Sequence, residues 1–213
     1  MLKDSLIHDL FAFSQFNFYS GFYGFNTNGL LMFNKKKLAH PVAHYVAWLG
    51  VSLFATFLMD LWGCLLHVIA HQPLPNYALL GRYVLKVLQT GHLIIPKVHT
   101  LPAIAYENLA GWLFHMGVGI ADTFIYMIII FKILKTKPHL LISLGIGWML
   151  IAMPMLIEQP MLGMGVAGRL TSDPDFTRLI TFSYHTVFGL GLFVGSIIFH
   201  RVFVLMVHAY KRK

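Results

Sequence analysis

The sequence predicts an all-α integral membrane protein, a bundle of four transmembrane helices with a short interfacial helix in the first outer loop. Three observations predict it. The composition is 57% hydrophobic and 11% charged, where soluble domains run to about 25% charged. Four apolar runs each approach the roughly 20 residues that cross a hydrocarbon core. Basic residues gather beside alternate ends of those runs, as topology requires. A 213-residue chain has too little interior to hide this much apolar surface from water. Lipid must solvate it.

Residues 1–38 form a separate segment rich in Phe, Tyr, Asn and Gly. From Phe16 to Asn34 no helical period is sustained, so the stretch reads as irregular. It ends in Lys35-Lys36-Lys37, a basic flank before the first membrane entry. Asp4 and Asp9 interrupt the start, so no cleavable signal peptide is expected and the first span serves as its own insertion signal. Residues 39–213 form the membrane domain. Its spans run over about 42–69, with Asp60 and His67 inside, and 108–131, with His115 and Asp122 inside. The third covers 138–157, ahead of Glu158-Gln159-Pro160, and the fourth 179–199. Pro154 and Pro160 are expected to kink the third span. Gly191 and Gly195 allow close helix approach in the fourth. In the loop after the first span, Asn76 to Leu85 reads as the interfacial helix, bounded by Pro73 and Pro75 before it and by Pro96 and Pro102 after it.

Charge orients the bundle. Lys35–Lys37, Lys132, Lys135, Lys137, Arg201 and the terminal Lys211-Arg212-Lys213 fall on one side. Arg82, Lys86, Lys97, Arg169 and Arg178 fall on the other, offset by Glu107, Asp173 and Asp175. The positive-inside rule puts the first group, and both termini, in the cytoplasm. The formal charge of +8 then serves topology and anionic headgroups, and no nucleic-acid partner is expected. Cys64 is the only cysteine, so no intrachain disulfide is possible.

Ionisable residues inside spans carry the functional signal, because each costs about 2.5–3.5 kcal/mol on insertion scales. At about 1.5 Å of rise per residue, Asp60, His115 and His185 lie about 16, 12 and 10 Å below His71, Glu107 and Arg178, near one level. Asp60, Cys64, His67 and His71 share one stripe of the first span. Glu107, Gly111, His115, Gly119 and Asp122 share one of the second, and Arg178, Thr181, His185 and Gly189 one of the fourth. These stripes are expected to face the interior, with Glu158 and Gln159 capping the third span near the same side.

Three readings of such a site stay open. It handles protons, ions or a small ligand through Asp60, His115, His185 and Glu158; four spans are few for a carrier, so a homo-oligomer or a membrane-complex partner is then expected. Alternatively, the polar residues only hold helices in register in a structural or partner-binding subunit. In the third reading, His115 and His185 clasp a haem b or, with Asp60 and Glu158, a divalent metal. An enzyme is not favoured: the sequence has no nucleophile elbow, no phosphate-cradling glycine loop and no zinc-protease glutamate between His67 and His71.

Met59-Asp60-Leu61-Trp62, Asn76-Tyr77-Ala78-Leu79-Leu80-Gly81-Arg82 and Glu107-Asn108-Leu109-Ala110-Gly111-Trp112-Leu113-Phe114-His115 resemble a bacterial family known as domain of unknown function 2938. Glu158-Gln159-Pro160 with Gly163 and Gly165, then His185 with Val187-Phe188-Gly189-Leu190-Gly191, continue the likeness in order over about residues 45–200. The resemblance implies a small inner-membrane protein with four spans. It places weight on Asp60, Trp62, Arg82, Glu107, His115, Gln159, Arg178 and His185, whereas His67, His71 and Glu158 are features of this chain. It brings no activity, substrate or cofactor.

Overall fold

The computed structural model describes residues 41–95 and 97–211. The irregular segment expected over residues 1–38 lies outside them, as does Pro96. Five helices organise the described chain: α1 (Pro41–Ile69), α2 (Ala78–Thr90), α3 (Glu107–Met127), α4 (Leu140–Leu150) and α5 (Pro174–Lys211). No strand occurs among the described residues. The chain is all-α, and four of its helical segments are long and apolar enough to cross a membrane: Tyr45–Ile69, Glu107–Ile133, Leu140–Met161 and Pro174–Phe199. Large apolar side chains remain exposed on all four, among them Phe57 (63%), Leu113 (66%), Leu141 (70%) and Leu179 (63%). A water-soluble bundle would not leave such surface uncovered.

The spans differ from their sequence ranges in instructive places. The second continues beyond Met127 as a π-helical stretch, Ile128–Ile133. The third does not stop at residue 157. Pro154 lacks an N–H, and the chain accommodates it with a π-helical turn, Pro154–Glu158, followed by a last turn at Gln159–Met161. The fourth begins a turn early, where Asp173 caps it by accepting the Phe176 N–H at 3.0 Å. In the first loop, α2 runs one turn beyond Leu85, and its end is set by a glycine instead of a proline. Gly91 takes a left-handed φ of 72° and its N–H closes onto the Val87 carbonyl.

α5 packs between α1 and α4, α1 also packs on α3, and α2 lies along the start of α3. α3 and α4 barely touch. Small residues permit these approaches. A Cβ on Gly191 would meet the Ala55 backbone at 2.8 Å. Gly81 and Gly111 bring α2 and α3 into backbone contact, Gly81 on Glu107 and Gly111 on Tyr77. These pairs run in opposite order, so the two helices are antiparallel where they cross. α2 therefore stands against the end of α3, with Leu80, Gly81 and Tyr83 buried.

The end of the bundle carrying the loops 70–106 and 162–173 is called upper here. In the lower half, Val51, Ala55, Tyr126, Met127, Ile130, Ile146, Leu150 and Leu192 form one closed core. The Tyr126 hydroxyl lies 3.1 Å from the Ser143 hydroxyl and 3.4 Å from that of Ser196, fully buried and joining α3, α4 and α5. A second cluster, Leu80, Tyr83, Val98 and Leu162, roofs the upper end.

Candidate functional site

Asp60 sits on α1 and His115 on α3, and their side chains meet: His115 Nε2 is 3.1 Å from Asp60 Oδ1. The third member comes from the loop. Tyr77 precedes α2, and its hydroxyl donates to Asp60 Oδ1 at 2.8 Å and lies 3.0 Å from His115 Nε2. The phenol ring stacks on the imidazole with centroids 4.2 Å apart, and the Trp112 ring packs edge-on against Tyr77 at 4.6 Å. Burial, followed by the Asp60 charge, pushes the Tyr77 phenol well above its ordinary value, so it remains a proton donor. In one arrangement the phenol and the His115 Nε2–H both donate to Asp60 Oδ1, while the buried Oδ2 has no partner.

A second tie lies above it. Arg82 Nε and Nη2 donate to the two Glu107 carboxylate oxygens at 2.8 and 2.9 Å, and Arg82 Nη1 reaches the Leu101 carbonyl at 2.7 Å. Glu107 also accepts the Ile104 N–H at 2.9 Å. This bidentate pair fastens α2 and the following loop to the head of α3, and it holds the Arg82 guanidinium above its ordinary value.

His185 does not join the Asp60 group. Its Nδ1 lies 3.0 Å from the Thr181 carbonyl one turn back, so Nδ1 carries the proton and Nε2 is left as an acceptor. Thr181 also accepts the Gln159 side-chain N–H at 3.1 Å through its hydroxyl. Gln159 is 7% exposed, and its Oε1 has no hydrogen-bond partner. The Glu158 and Asp122 carboxyl groups make no hydrogen bond or salt bridge among the described residues.

These groups line one cavity of about 330 Å³. Its walls are His115, Val118 and Asp122 of α3, Met153 to Leu162 at the end of the third span, and Thr181, Tyr184, His185 and Phe188 of α5. Met59 stands at its base and Tyr77, Leu80 and Tyr83 at its roof. It occupies the gap where α3 and α4 fail to meet, and the π-turn brings Glu158 and Gln159 to its edge. The lowest lining residues are Met59, Asp122, Met153 and Phe188, and Met59 and Phe188 also belong to the packed core beneath. The cavity is blind below.

Other residues singled out from the sequence stand elsewhere. Arg178 is an exposed partner of Asp175 at 2.9 Å and of the Ala167 carbonyl at 3.1 Å. Trp62 buries its indole nitrogen without an acceptor. The α1 stripe does not stay interior to its end: His67 Nδ1 closes the loop by bonding the Pro73 carbonyl at 2.6 Å, and His71 is exposed. The metal reading lacks its ligand set, because among the described residues no three His, Cys, Asp or Glu side chains converge. A haem clasped by His115 and His185 fits poorly, since His115 Nε2 is already held by Asp60 and Tyr77. Tyr77, Asp122, Thr181 and Tyr184 complete the site. Asp122 was readable on the His115 stripe, whereas Tyr77 enters only because the loop folds back.

No curated protein matches the chain, and no solved structure does. A family model matches residues 48–199, well over half of the sequence, and covers every wall of the cavity. The chain belongs to the family described as "Protein of unknown function (DUF2938)".

Proposed function

We propose that this protein binds a small, mostly apolar molecule in the cavity between α3 and α4. One observation carries the reading: a blind space of about 330 Å³ with apolar walls and a few polar groups that lack partners. Ligand sites have this size and this make-up. The rival reading, in which polar residues only hold helices together, draws support from Asp60–His115–Tyr77 and from Arg82–Glu107, which are paired. It gives no role to Asp122, Glu158 and the free nitrogen of His185, which tie nothing. A blind floor also speaks against a pore within one chain.

We place the protein in the bacterial inner membrane with its lower end in the cytoplasm. Lys132, Lys135 and Lys137 at that end support this orientation. A carboxyl-terminal green fluorescent protein fusion should fluoresce and an alkaline phosphatase fusion should stay inactive; the opposite pattern would reverse the orientation.

The binding reading is tested on protein purified in dodecyl maltoside. Unfolding is followed by tryptophan fluorescence with 4-phenylbutan-1-ol as probe. At tenfold excess over its Kd the alcohol should raise the midpoint by about 3 °C. The same alcohol should leave Val118→Trp unmoved, because the indole fills the space. Equal responses from both proteins would refute the site.

A further inference from the structure

Acceptors outnumber donors among the cavity's polar groups. Gln159 Oε1 is an acceptor with no partner in a side chain only 7% exposed. Its amide N–H is committed to Thr181, whose own hydroxyl donates to the Thr177 carbonyl at 2.8 Å, so the amide cannot be turned round without losing both bonds. His185 offers Nε2, again an acceptor, because Nδ1 is committed to the Thr181 carbonyl. Asp122 and Glu158 add two carboxylates from opposite walls, and neither is paired. Donors are fewer: Tyr77 gives its proton to Asp60 and Tyr83 to the Leu93 carbonyl, which leaves the Tyr184 hydroxyl and the second Gln159 N–H. Among the described residues, no lysine or arginine lines the cavity.

An unpaired buried acceptor is costly, and it asks for a donor from outside the chain. An anion would meet two carboxylates and no cation. A bare metal ion would lack converging ligands, since no three candidate side chains come together among the described residues. A protonated amine fits every feature: it brings two or three N–H donors and a positive charge. Phe114, Tyr184 and Phe188 supply aromatic faces for the same charge, while Met153, Met161 and Met164 give a soft, adaptable wall for an apolar body.

We infer that the ligand is an amphiphilic amine, an apolar body with an N–H-bearing cationic head. The head sits between Asp122 on one wall and Glu158, Gln159 and His185 on the other. This rests on the binding reading above and sharpens it.

The test compares three probes that share one body and differ in head: 4-phenylbutylamine, 4-phenylbutan-1-ol and 4-phenylbutanoate. Binding to the purified protein is measured by calorimetry in the same detergent. The amine should bind at least tenfold more tightly than the alcohol, and the acid should not register. Glu158→Gln and Asp122→Asn should each weaken the amine at least fivefold and weaken the alcohol by a smaller factor, and the alcohol binding that survives certifies that the variants fold. Gln159→Met should lower amine affinity without abolishing alcohol binding. If the alcohol or the acid binds as well as the amine, or if both carboxylate variants keep the amine preference, the amine inference is overturned and the cavity reading stands. If none of the three binds wild type, and Val118→Trp behaves identically, both fall together.

Discussion

The two halves of this bundle fill their interiors differently. In the lower half, Tyr126 sits among the hydroxyls of Ser143 and Ser196, and side chains from α1, α3, α4 and α5 fill the space around them. In the upper half, α3 and α4 part, a cavity of about 330 Å³ opens, and Gln159, Glu158, Asp122 and His185 face it with spare acceptors. Lipid would supply none of those acceptors with a proton. The lower half also holds buried polar atoms without a partner, Trp48 Nε1, Ser52 Oγ and Thr56 Oγ1, so the difference between the halves lies in the open space and not in hydrogen-bond satisfaction alone.

A second contrast lies within the upper half. Asp60, His115, Tyr77, Arg82 and Glu107 bind one another and hold the α2 loop down on the bundle. They form the frame, and the unpaired set forms the lining. Replacing a frame residue should cost stability; replacing Asp122, Glu158 or another of the unpaired polar residues should not.

Substitutions can break or sharpen these contrasts. Phe188 is 2% exposed at the boundary between the halves, and Phe188→Ala should cost about 3–5 kcal/mol, read by thermal unfolding, while extending the cavity downward. Tyr126→Phe should cost about 1–3 kcal/mol, because it strips the partner from two buried serine hydroxyls. Tyr77→Phe should cost about 1 kcal/mol, and hydrogen exchange should show the loss concentrated in α2. The Tyr77 phenol also links stability to alkali. Its folded pKa lies above its unfolded value near 10, so the contribution is complete below pH 10 and declines above it. Wild type should therefore lose stability above pH 10 more steeply than Tyr77→Phe. Glu158→Gln, on the lining, should stay within about 0.5 kcal/mol of wild type or gain stability. Arg178→Ala should be smallest of all, because its partner Asp175 is 94% exposed on the side chain and such pairs contribute about 0–1 kcal/mol.

The spans were legible because lipid imposes a simple rule on length and hydropathy, and the helices occupy nearly those ranges. Their ends were less so. Proline at residue 154 reads as a kink, but the π-helical turn that turns Glu158 and Gln159 to the cavity depends on how the broken helix packs against α5. Depth along the helices sets Asp60 and His115 near one level, and their side chains meet. The same calculation says nothing of Tyr77, because counting rise treats the loop as lying outside the bundle. Only the backbone contact made possible by Gly81 and Gly111 brings the loop down to Asp60. His185 illustrates the opposite limit: matched depth with His115 does not distinguish touching from facing across a gap. Its nearest tie is to its own helix, through Thr181. The α1 stripe fades for a related reason, since His67 and His71 lie where the helix gives way to a turn.

An accessible space in the upper half stands above close packing around Ile146 and Leu192 in the lower half. Cys64 is the sole cysteine, so single cysteines can be introduced into a Cys64→Ser background and challenged with a small cationic methanethiosulfonate. Cysteines at Val118 and Met153 should react within minutes and be protected by 4-phenylbutylamine, whereas cysteines at Ile146 and Leu192 should stay unmodified until the protein unfolds. Comparable labelling at all four positions, or none at Val118 and Met153, would contradict the account.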